Sequence, residues 1–530
     1  MRQRGTFAHI FAAFNLHHPR DIVSTQIYNV FQVYKRMPEP PFKKILIANR
    51  GEIAVRIIRA AREEGIKTVA VYSDADRNSL HRLLADESVW IGNPHPRYSY
   101  LDIEKIINAV KKTDAEAVHP GYGFLAENPH FVERLEEEGI VFIGPPSHVQ
   151  RLVGDKLGAR KKVSEVGVPI APGTLSSVSI ENAVEVADKI GYPLIVKPAG
   201  GGGGIGMAIV YSEKELLEAV ERASKLAKST FANPEVYIER YFPKARHIEV
   251  QILADSHGNV IHLYERECSV QRRFQKLIEE SPSPALDEEG RDRITSLAVK
   301  VAKAVGYINA GTIEFLYIPD LDEFYFLEVN SRIQVEHPVT EMVTGIDIVK
   351  EQFRIAAGEK LNISQNEVEQ KGHAFEARIY AEDPLRNFMP SPGVITNYLP
   401  PSGPGVRVDS GIYPGYEIPS FYDPLILKLI VWGKDRLEAI KRMRRALEET
   451  VIEGVATNIV FHEVVFRDEA FNNGIITTNF IKEREILKKV KEYKSKRLKL
   501  PIMVEEKKIF KEHEREVQID AWRFSAKLGL

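Results

Sequence analysis

The segment from residue 43 to 73, KKILIANRGEIAVRIIRAAREEGIKTVAVYS, constrains the fold most, because it has the pattern strand, helix, strand. After an initial apolar run, apolar residues recur at helical spacing from Ile53 to Ala61. Gly65 ends the predicted helix, and KTVAVYS begins a second strand. Two strands joined in this way pair in parallel, so the segment predicts an α/β fold. Similar alternation follows, and the first domain is expected to end near residue 150.

Length and composition limit what else the chain can be. At 530 residues it is expected to form about three or four domains. The formal net charge of −2 gives no basic excess for a nucleic-acid partner, and no apolar run is long enough to cross a membrane. The single cysteine, Cys268, excludes a disulfide framework and is interpreted as a packed thiol. We therefore expect a cytoplasmic protein.

The two ends of the chain differ from the rest. Residues 1–40 are basic and aromatic, with a short apolar centre that faintly resembles a targeting peptide. No small-residue cleavage site follows, so we interpret them as an extension that is disordered or not native, with Met37 as a candidate start. The mixed charges of residues 486–530 predict a solvated helix rather than an arm that docks a partner.

A run of glycines lies in KPAGGGGGIGM, from Lys197 to Met207. Its spacing formally satisfies a dinucleotide-binding motif, but that motif needs a following helix, and MAIVYS has a strand pattern instead. The ending of a Walker A loop and the other motifs of a kinase do not occur. Strand patterns on both sides favour a glycine-rich flap over a mobile linker. Backbone amides in such a flap can cover phosphates, with Lys197 as a charge beside them.

Two strand patterns flank the turn composition PDLDE after residue 318. A hairpin centred on Leu321 places Glu314 opposite Glu328, and pairs Leu316 with Phe326 and Ile318 with Phe324. Like charges directly opposite each other destabilise a sheet unless a cation compensates them. These carboxylates and the amide of Asn330 therefore predict a Mg²⁺ site beside phosphates, against the alternative of a surface hairpin with solvated glutamates.

The next residues extend this hypothesis. If the chain stays extended after Asn330, then Arg332, Gln334 and Glu336 fall on the same face as the carboxylate pair. A metal, a cation, an amide and a further carboxylate would then line one wall of a cleft.

A resemblance to a known family rests on several motifs that occur in order over about residues 42–482: IANRGEIAVRIIRAARE, HPGYGFLAEN, GDK, KPAGGGGGIGM, RHIEVQ, ECSVQRR, LEVNSRIQVEHPVTEM and EARIYAEDP. Together they resemble biotin carboxylase, an ATP-grasp enzyme. The glycine flap is shared by ATP-grasp ligases in general, whereas ANRGEIA and NSRIQVEHPVTE are more specific to the biotin-dependent branch.

The resemblance implies an organisation into three domains. It implies an N-terminal Rossmann-like domain over residues 41–153 and an ATP-grasp domain over 154–372, with a mobile glycine-rich lid at about 170–245. A C-terminal α+β biotin carboxylase domain over 373–485 completes the expected fold.

The resemblance also implies the reaction, in which bicarbonate attacks the γ-phosphate of ATP and the resulting carboxyphosphate delivers CO₂ to N1 of biotin on a carrier protein. Glu336 would be the base, Arg332 would hold bicarbonate with Gln334 and the Val335 backbone, and Lys276 would stabilise carboxyphosphate. Arg378 would stabilise the biotin enolate. The metal ligands for Mg²⁺ or Mn²⁺ would be Glu314, Glu328 and Asn330. The implied ATP contacts are Lys156, Lys197, Gly201, Gly202, Gly203, Gly204, Gly206, Met207, Glu239, His247, Gln271 and Leu316.

Two positions depart from the family pattern, and both lie near the expected nucleotide. Ile205 stands where the flap often has arginine, and Phe274 stands where histidine is common. No Met-Lys-Met carrier motif occurs. The expected partners are therefore a biotin carboxyl carrier protein, a second copy of this chain and a carboxyltransferase subunit. The alternatives are another ATP-grasp ligase, of carbamoyl-phosphate or purine-pathway type, and a regulatory subunit with a dead site.

Overall fold

The computed structural model describes residues 40–200, 206–231 and 234–497. The predictions for the N-terminal extension up to residue 39, for Gly201, Gly202, Gly203, Gly204 and Ile205, and for the tail after residue 497 lie outside the described residues. In the described part, no helix is long and apolar enough to cross a membrane.

The N-terminal part folds around a parallel sheet with the strand order β3-β2-β1-β4-β5. The predicted strand–helix–strand unit is confirmed, because β1 pairs with β2 in parallel and the apolar side chains of α1, such as Ile53 and Ile57, are buried. Gly65 follows that helix with a φ of +74°. The elements are β1 (Lys44–Ile47), α1 (Gly51–Glu63), β2 (Lys67–Ser73), α2 (Leu80–Leu84), β3 (Glu87–Gly92), α3 (Ile103–Thr113), β4 (Ala117–His119), α4 (Pro129–Glu137), β5 (Val141–Phe142) and α5 (Ser147–Gly154).

A small α+β unit follows, built on a sheet with the order β7-β6-β8. Its elements are α6 (Lys156–Glu165), α7 (Ile180–Ile190), β6 (Leu194–Pro198), β7 (Ala208–Val210), α8 (Glu213–Phe231) and β8 (Val236–Arg240). The glycine run joins β6 to β7, which pair antiparallel through Leu194 with Val210 and Val196 with Ala208. A strand and not a helix therefore follows the glycines, as the sequence pattern predicts.

Eight of the remaining strands build one sheet, in the order β13-β12-β9-β10-β11-β14-β21-β19. Its first part comes from β9 (Arg246–Ala254), β10 (Val260–Arg272), β11 (Gln275–Ser281), α9 (Glu288–Ala304), β12 (Asn309–Ile318), β13 (Glu323–Asn330), α10 (His337–Thr344) and α11 (Ile348–Ala356). The sheet then continues directly into the C-terminal part, because β11 pairs with β14.

The C-terminal part consists of β14 (His373–Tyr380), β15 (Glu382–Asp383), β16 (Met389–Pro390), β17 (Gly393–Val394), β18 (Asn397–Leu399), β19 (Val406–Ser410), β20 (Glu417–Ile418), β21 (Leu425–Gly433), α12 (Arg436–Glu449), β22 (Val451–Glu453), α13 (Ile459–Val465), α14 (Glu469–Asn472), α15 (Phe480–Glu483) and α16 (Ile486–Arg497). A helix is present after residue 485 as far as Arg497, but it is only partly solvated, because Ile486 and Val490 are buried in the apolar core.

Strand β14 shows how the sheet separates an apolar face from a polar one. Phe375, Ala377 and Ile379 belong to the apolar core under α12 and α13. Side chains alternate along a strand, so Glu376 and Arg378 point to the opposite face, against which α10 packs. Both residues are nevertheless buried. A buried charge needs internal partners, and the partners of Arg378 belong to the site described below.

The hairpin β12–β13 confirms one predicted pair and corrects two others. Glu314 lies opposite Glu328, as predicted, but Leu316 lies opposite Tyr325 and Ile318 opposite Glu323. The register shifts between Glu314 and Phe315, where Leu327 is the extra residue of a β-bulge. An equal count from a central residue cannot detect such an insertion, so the predicted pairs of Leu316 with Phe326 and Ile318 with Phe324 are wrong.

Candidate active site

A cavity of about 820 Å³ opens where the N-terminal part, the small α+β unit and the eight-stranded sheet meet. All three regions contribute lining residues. The predicted site residues that line it are Lys156, Lys197, Met207, Glu239, His247, Gln271, Lys276, Glu314, Leu316, Glu328, Asn330, Arg332, Gln334, Val335 and Arg378. Two of the predicted site residues that the structure describes do not line the cavity. Glu336 is fully buried, and Gly206 is not among the lining residues.

The ammonium group of Lys276 is the junction of the site. Its Nζ donates to Glu249 Oε2 at 2.5 Å, to Glu314 Oε1 at 2.7 Å and to Glu336 Oε1 at 2.7 Å. Burial lowers the pKa of Lys276, but the three carboxylates outweigh it and raise the pKa well above its usual value. The lysine therefore stays charged in a site that contains three buried acids.

The carboxylate of Glu336 lies between two cations. Its second oxygen, Oε2, accepts from Arg378 Nη2 at 2.8 Å. Burial raises the pKa of Glu336, but Lys276, Arg378 and Arg266 outweigh burial and hold it well below its usual value. Glu336 is therefore deprotonated at neutral pH and can accept a proton.

The segment after β13 does not stay extended, which corrects that prediction. The strand ends at Asn330, and the chain turns so that Glu336 immediately precedes α10. The side chains still meet at one wall. Arg332 Nη1 donates to Gln334 Oε1 at 3.1 Å, and Arg332 Nε lies 3.2 Å from Glu127 Oε1. A planar guanidinium with an amide beside it suits a small planar anion.

The cavity wall also carries cations suited to phosphates. Lys197, on β6, and Arg160 both contact the buried carboxylate of Glu239. Lys156 Nζ lies 3.1 Å from Glu328 Oε2. Burial lowers the pKa of Lys156, but the Glu328 carboxylate outweighs burial and raises it. Lys156 therefore stays charged, and Lys197 lies on the strand that leads into the glycine run.

Glu314 and Glu328 fit the predicted divalent cation. They are opposite each other on neighbouring strands, and both face the cavity. Asn330 Nδ2 donates to Glu314 Oε1 at 2.8 Å, and each carboxylate is neutralised by a lysine. Burial raises the pKa of Glu314, but Lys276 and the nearby His247 outweigh burial and lower it. Ionised carboxylates and an amide oxygen are ligands typical of Mg²⁺.

His247 and Gln271 form a pair beside this carboxylate. Gln271 Nε2 and His247 Nδ1 are 2.6 Å apart, and His247 Nε2 lies 2.9 Å from Glu314 Oε2. The structure thus places two predicted nucleotide contacts next to the metal-ligand position.

Several residues in the site were missed by sequence reasoning. The Glu249 carboxylate accepts hydrogen bonds from both Lys276 and Arg266. Arg266 Nε donates to Glu249 Oε1 at 2.6 Å. Arg266 is fully buried and also donates to Gln251 and Thr312. A signal was available, because polar residues alternate with apolar ones in HIEVQI and predict one polar face of a strand.

Two other buried residues have structural roles. Cys268 is buried, and burial raises the pKa of its thiol well above the usual value, so the prediction of a packed thiol is confirmed. His119 is buried within hydrogen-bond distance of Gln352, and burial lowers its pKa to about 3. Neither residue is poised as a nucleophile or base.

Comparison with known proteins identifies similarity over nearly all of the described chain. Three family models match: biotin carboxylase, N-terminal domain, at residues 41–149; carbamoyl-phosphate synthase L chain, ATP binding domain, at 155–364; and biotin carboxylase C-terminal domain, at 376–483.

Individual proteins show the same similarity. The chain is 56% identical to a pyruvate carboxylase subunit of Methanothermobacter thermautotrophicus, over 83% of this chain and 90% of that protein. It is 53% identical to biotin carboxylase 1 of Bacillus subtilis, over 84% of this chain and 99% of that protein. The crystal structure of the Hydrogenobacter thermophilus 2-oxoglutarate carboxylase biotin carboxylase domain dimer, with MgADP, ADP and bicarbonate, superimposes with a TM-score of 0.82 at 47% identity, covering 84% of this chain and 98% of that one.

Proposed function

Because the chain belongs to the biotin carboxylase family, it catalyses the ATP-dependent carboxylation of biotin, and we propose how its own residues carry out the reaction. The observation that carries the proposal is the junction at Lys276. One ammonium group joins the acid expected to bind metal, Glu314, to the acid expected to act as base, Glu336. Phosphoryl transfer and proton removal are thus organised around one cation.

Glu336 is the proposed base that takes the proton from bicarbonate. Arg332, Gln334 and the backbone of Val335 hold the anion, and the freed oxygen attacks the γ-phosphate of ATP, which releases ADP and forms carboxyphosphate. Lys276 is close enough to both acids to stabilise the charge that develops on the transferred group. Carboxyphosphate then splits into CO₂ and phosphate, and the phosphate takes the N1 proton of biotin. Arg378, on the other side of Glu336, stabilises the resulting enolate while N1 attacks CO₂.

Lys156 and Lys197 are the proposed phosphate contacts, with Glu239 and His247 helping to hold the nucleotide. Met207, Leu316 and Gln271 line the same cavity and complete the proposed ATP contacts, together with the glycines of the hairpin. Glu314, Glu328 and Asn330 would hold Mg²⁺ or Mn²⁺, which supplies positive charge beside the phosphates. A lid that closes over this region would protect carboxyphosphate from water.

We further propose the assembly in which the chain works. Biotin is presented by a carrier protein, and a carboxyltransferase subunit, which sets the final acceptor, uses the carboxybiotin. A second copy of the chain forms a homodimer, and the enzyme acts in the cytoplasm. We also propose domain boundaries at residues 153 and 372, which lie in the intervals between the residues matched by the three family models.

The test is carboxylation of free biotin by the purified chain. ATP turnover is expected to depend on bicarbonate and to increase with biotin. Glu336→Gln removes the base and is expected to lower the rate by about 100-fold or more. Glu351→Gln is the matched control, since Glu351 is buried against Arg354 on α11 and does not line the cavity. If Glu336→Gln retains biotin carboxylation, the proposed mechanism is wrong.

A further inference from the structure

A buried lysine outside the predicted site contacts the backbone of the loop between β13 and α10, here called the bicarbonate loop (residues 331–336). Lys428 lies on β21 with no exposed surface. Its Nζ donates to the carbonyl oxygen of Val335 at 2.8 Å and lies 3.4 Å from Glu52 Oε2 and 3.9 Å from Asp409 Oδ2.

The position of Lys428 is costly for a cation. In the antiparallel pairing of β14 with β21 it stands opposite Arg378, and like charges in that arrangement repel. Removing an ammonium from water is also expensive unless partners compensate it. The compensation comes from Glu52 in the N-terminal part, from Asp409 on β19 and from the Val335 carbonyl. An apolar side chain at position 428 would be enough if the residue only had to fill this space.

The bond to Val335 fixes more than one carbonyl group. The peptide bond is planar, so the Val335 carbonyl and the backbone N–H of Glu336 move as one unit. Val335 lines the cavity, and the carboxylate of Glu336 contacts Lys276 and Arg378. Lys428 therefore holds the backbone plane at the junction between the bicarbonate contacts and the base.

Glu52 connects this tether to a further wall of the cavity. Its carboxylate accepts from the hydroxyl of Tyr122, which lines the cavity from the N-terminal part. The connection runs from Tyr122 through Glu52 and Lys428 to Val335, and so spans the N-terminal part, the C-terminal part and the bicarbonate loop. Among these residues, Lys428 is the one that contacts the loop backbone.

We propose that Lys428 is a positioning residue for bicarbonate, acting through the Val335 carbonyl to hold the bicarbonate loop in its binding conformation. This inference rests on the proposed function. It assigns Lys428 no contact with substrate. The proposed ATP contacts lie on other elements, among them β6, β8, β9, β10 and β12, so the loss of Lys428 is expected to affect bicarbonate and to leave ATP binding intact.

The test is steady-state kinetics of the full chain with free biotin as acceptor. Lys428→Met is expected to raise KM for bicarbonate at least tenfold, while KM for ATP changes less than twofold. Arg436→Met is the matched control, because Arg436 is a largely buried cation paired with Glu280 away from the cavity. It is expected to leave both KM values unchanged.

A second variant covers failure of Lys428→Met to fold, as judged by circular dichroism and ADP binding. Glu52→Gln keeps the lysine but removes one of its two counter-charges, and is expected to raise KM for bicarbonate about threefold without changing KM for ATP. Unchanged bicarbonate KM in the folded variants, or equal rises in both KM values, would overturn the inference. If the wild-type chain shows no bicarbonate-dependent turnover, the proposed function itself fails.

Discussion

Replacement of Lys276 by methionine tests the electrostatic organisation of the site most directly. The change keeps the length of the side chain but removes the ammonium that contacts Glu249, Glu314 and Glu336. Removing one partner of a buried ion pair destabilises a protein by about 3–5 kcal/mol. Each carboxylate here keeps a second partner, respectively Arg266, His247 and Arg378. We therefore expect a loss near the lower end, about 3 kcal/mol, in the free energy of unfolding.

The effect on activity should be larger than the effect on stability. Loss of one preorganised donor to a developing charge lowers kcat by about 100-fold to 1000-fold in well-studied enzymes. Lys276 is also a cause of the low pKa of Glu336. Without it the pKa of Glu336 rises, so the base becomes protonated at a higher pH. The fall in activity on acidification is therefore expected to begin at a higher pH in the variant than in the wild type.

The assay is bicarbonate-dependent ATP turnover with free biotin, measured across the acid and neutral range, together with denaturant unfolding. Lys350→Met serves as the control, because Lys350 forms its ion pair with Glu63 on α1, away from the cavity. A Lys276→Met variant with activity within threefold of wild type, or with an unshifted acid limb, would refute the reasoning.

Three further outcomes are expected. Glu314→Gln should raise the Mg²⁺ concentration needed for half-maximal ATP turnover about tenfold, because it removes one of two charged ligands; a Mg²⁺ titration measures this. Burial raises the pKa of Glu280, but Arg436 outweighs burial and holds it at about 2, so the ionised carboxylate stabilises the fold at neutral pH by roughly 3 kcal/mol. That contribution is lost as pH falls from about 4.5 to 2, and Glu280→Gln should abolish this part of the pH dependence in denaturant unfolding. Phe274→His should lower KM for ATP by up to about tenfold, through one added hydrogen bond at the cavity wall.

The sequence predicted the elements that carry a strong period and one of the three pairs proposed for the β12–β13 hairpin. The parallel N-terminal unit and the pair of Glu314 with Glu328 follow from such patterns. The partners of Leu316 and Ile318 were predicted wrongly, because the extra residue at Leu327 changes neither the hydrophobic period nor the composition of the turn. Register depends on packing between strands, which the local pattern does not contain.

The residues that sequence reasoning missed are buried charges with distant partners. Lys428 lies in the apolar run LILKLIV, and Arg266 lies between two glutamates. Their partners come from residues 15 or more positions away. Nothing in the local sequence shows whether a charged residue in such a strand points to solvent or into a polar interior. That choice is made when helices cover the second face of the sheet, as α10 does here.

The continuity of the eight-stranded sheet bears on how the site can move. The predicted boundary at residue 372 falls between strands that pair directly, since β11 in the central part is hydrogen-bonded to β14 in the C-terminal part. Lys276 stands on the first of these strands and Arg378 on the second, and both bind Glu336. A hinge there would break backbone pairing and both contacts to the base. The sheet of β6, β7 and β8 is separate. Closure over ATP is therefore expected to move this smaller sheet, with Lys197 and Glu239, against a fixed carboxylation centre.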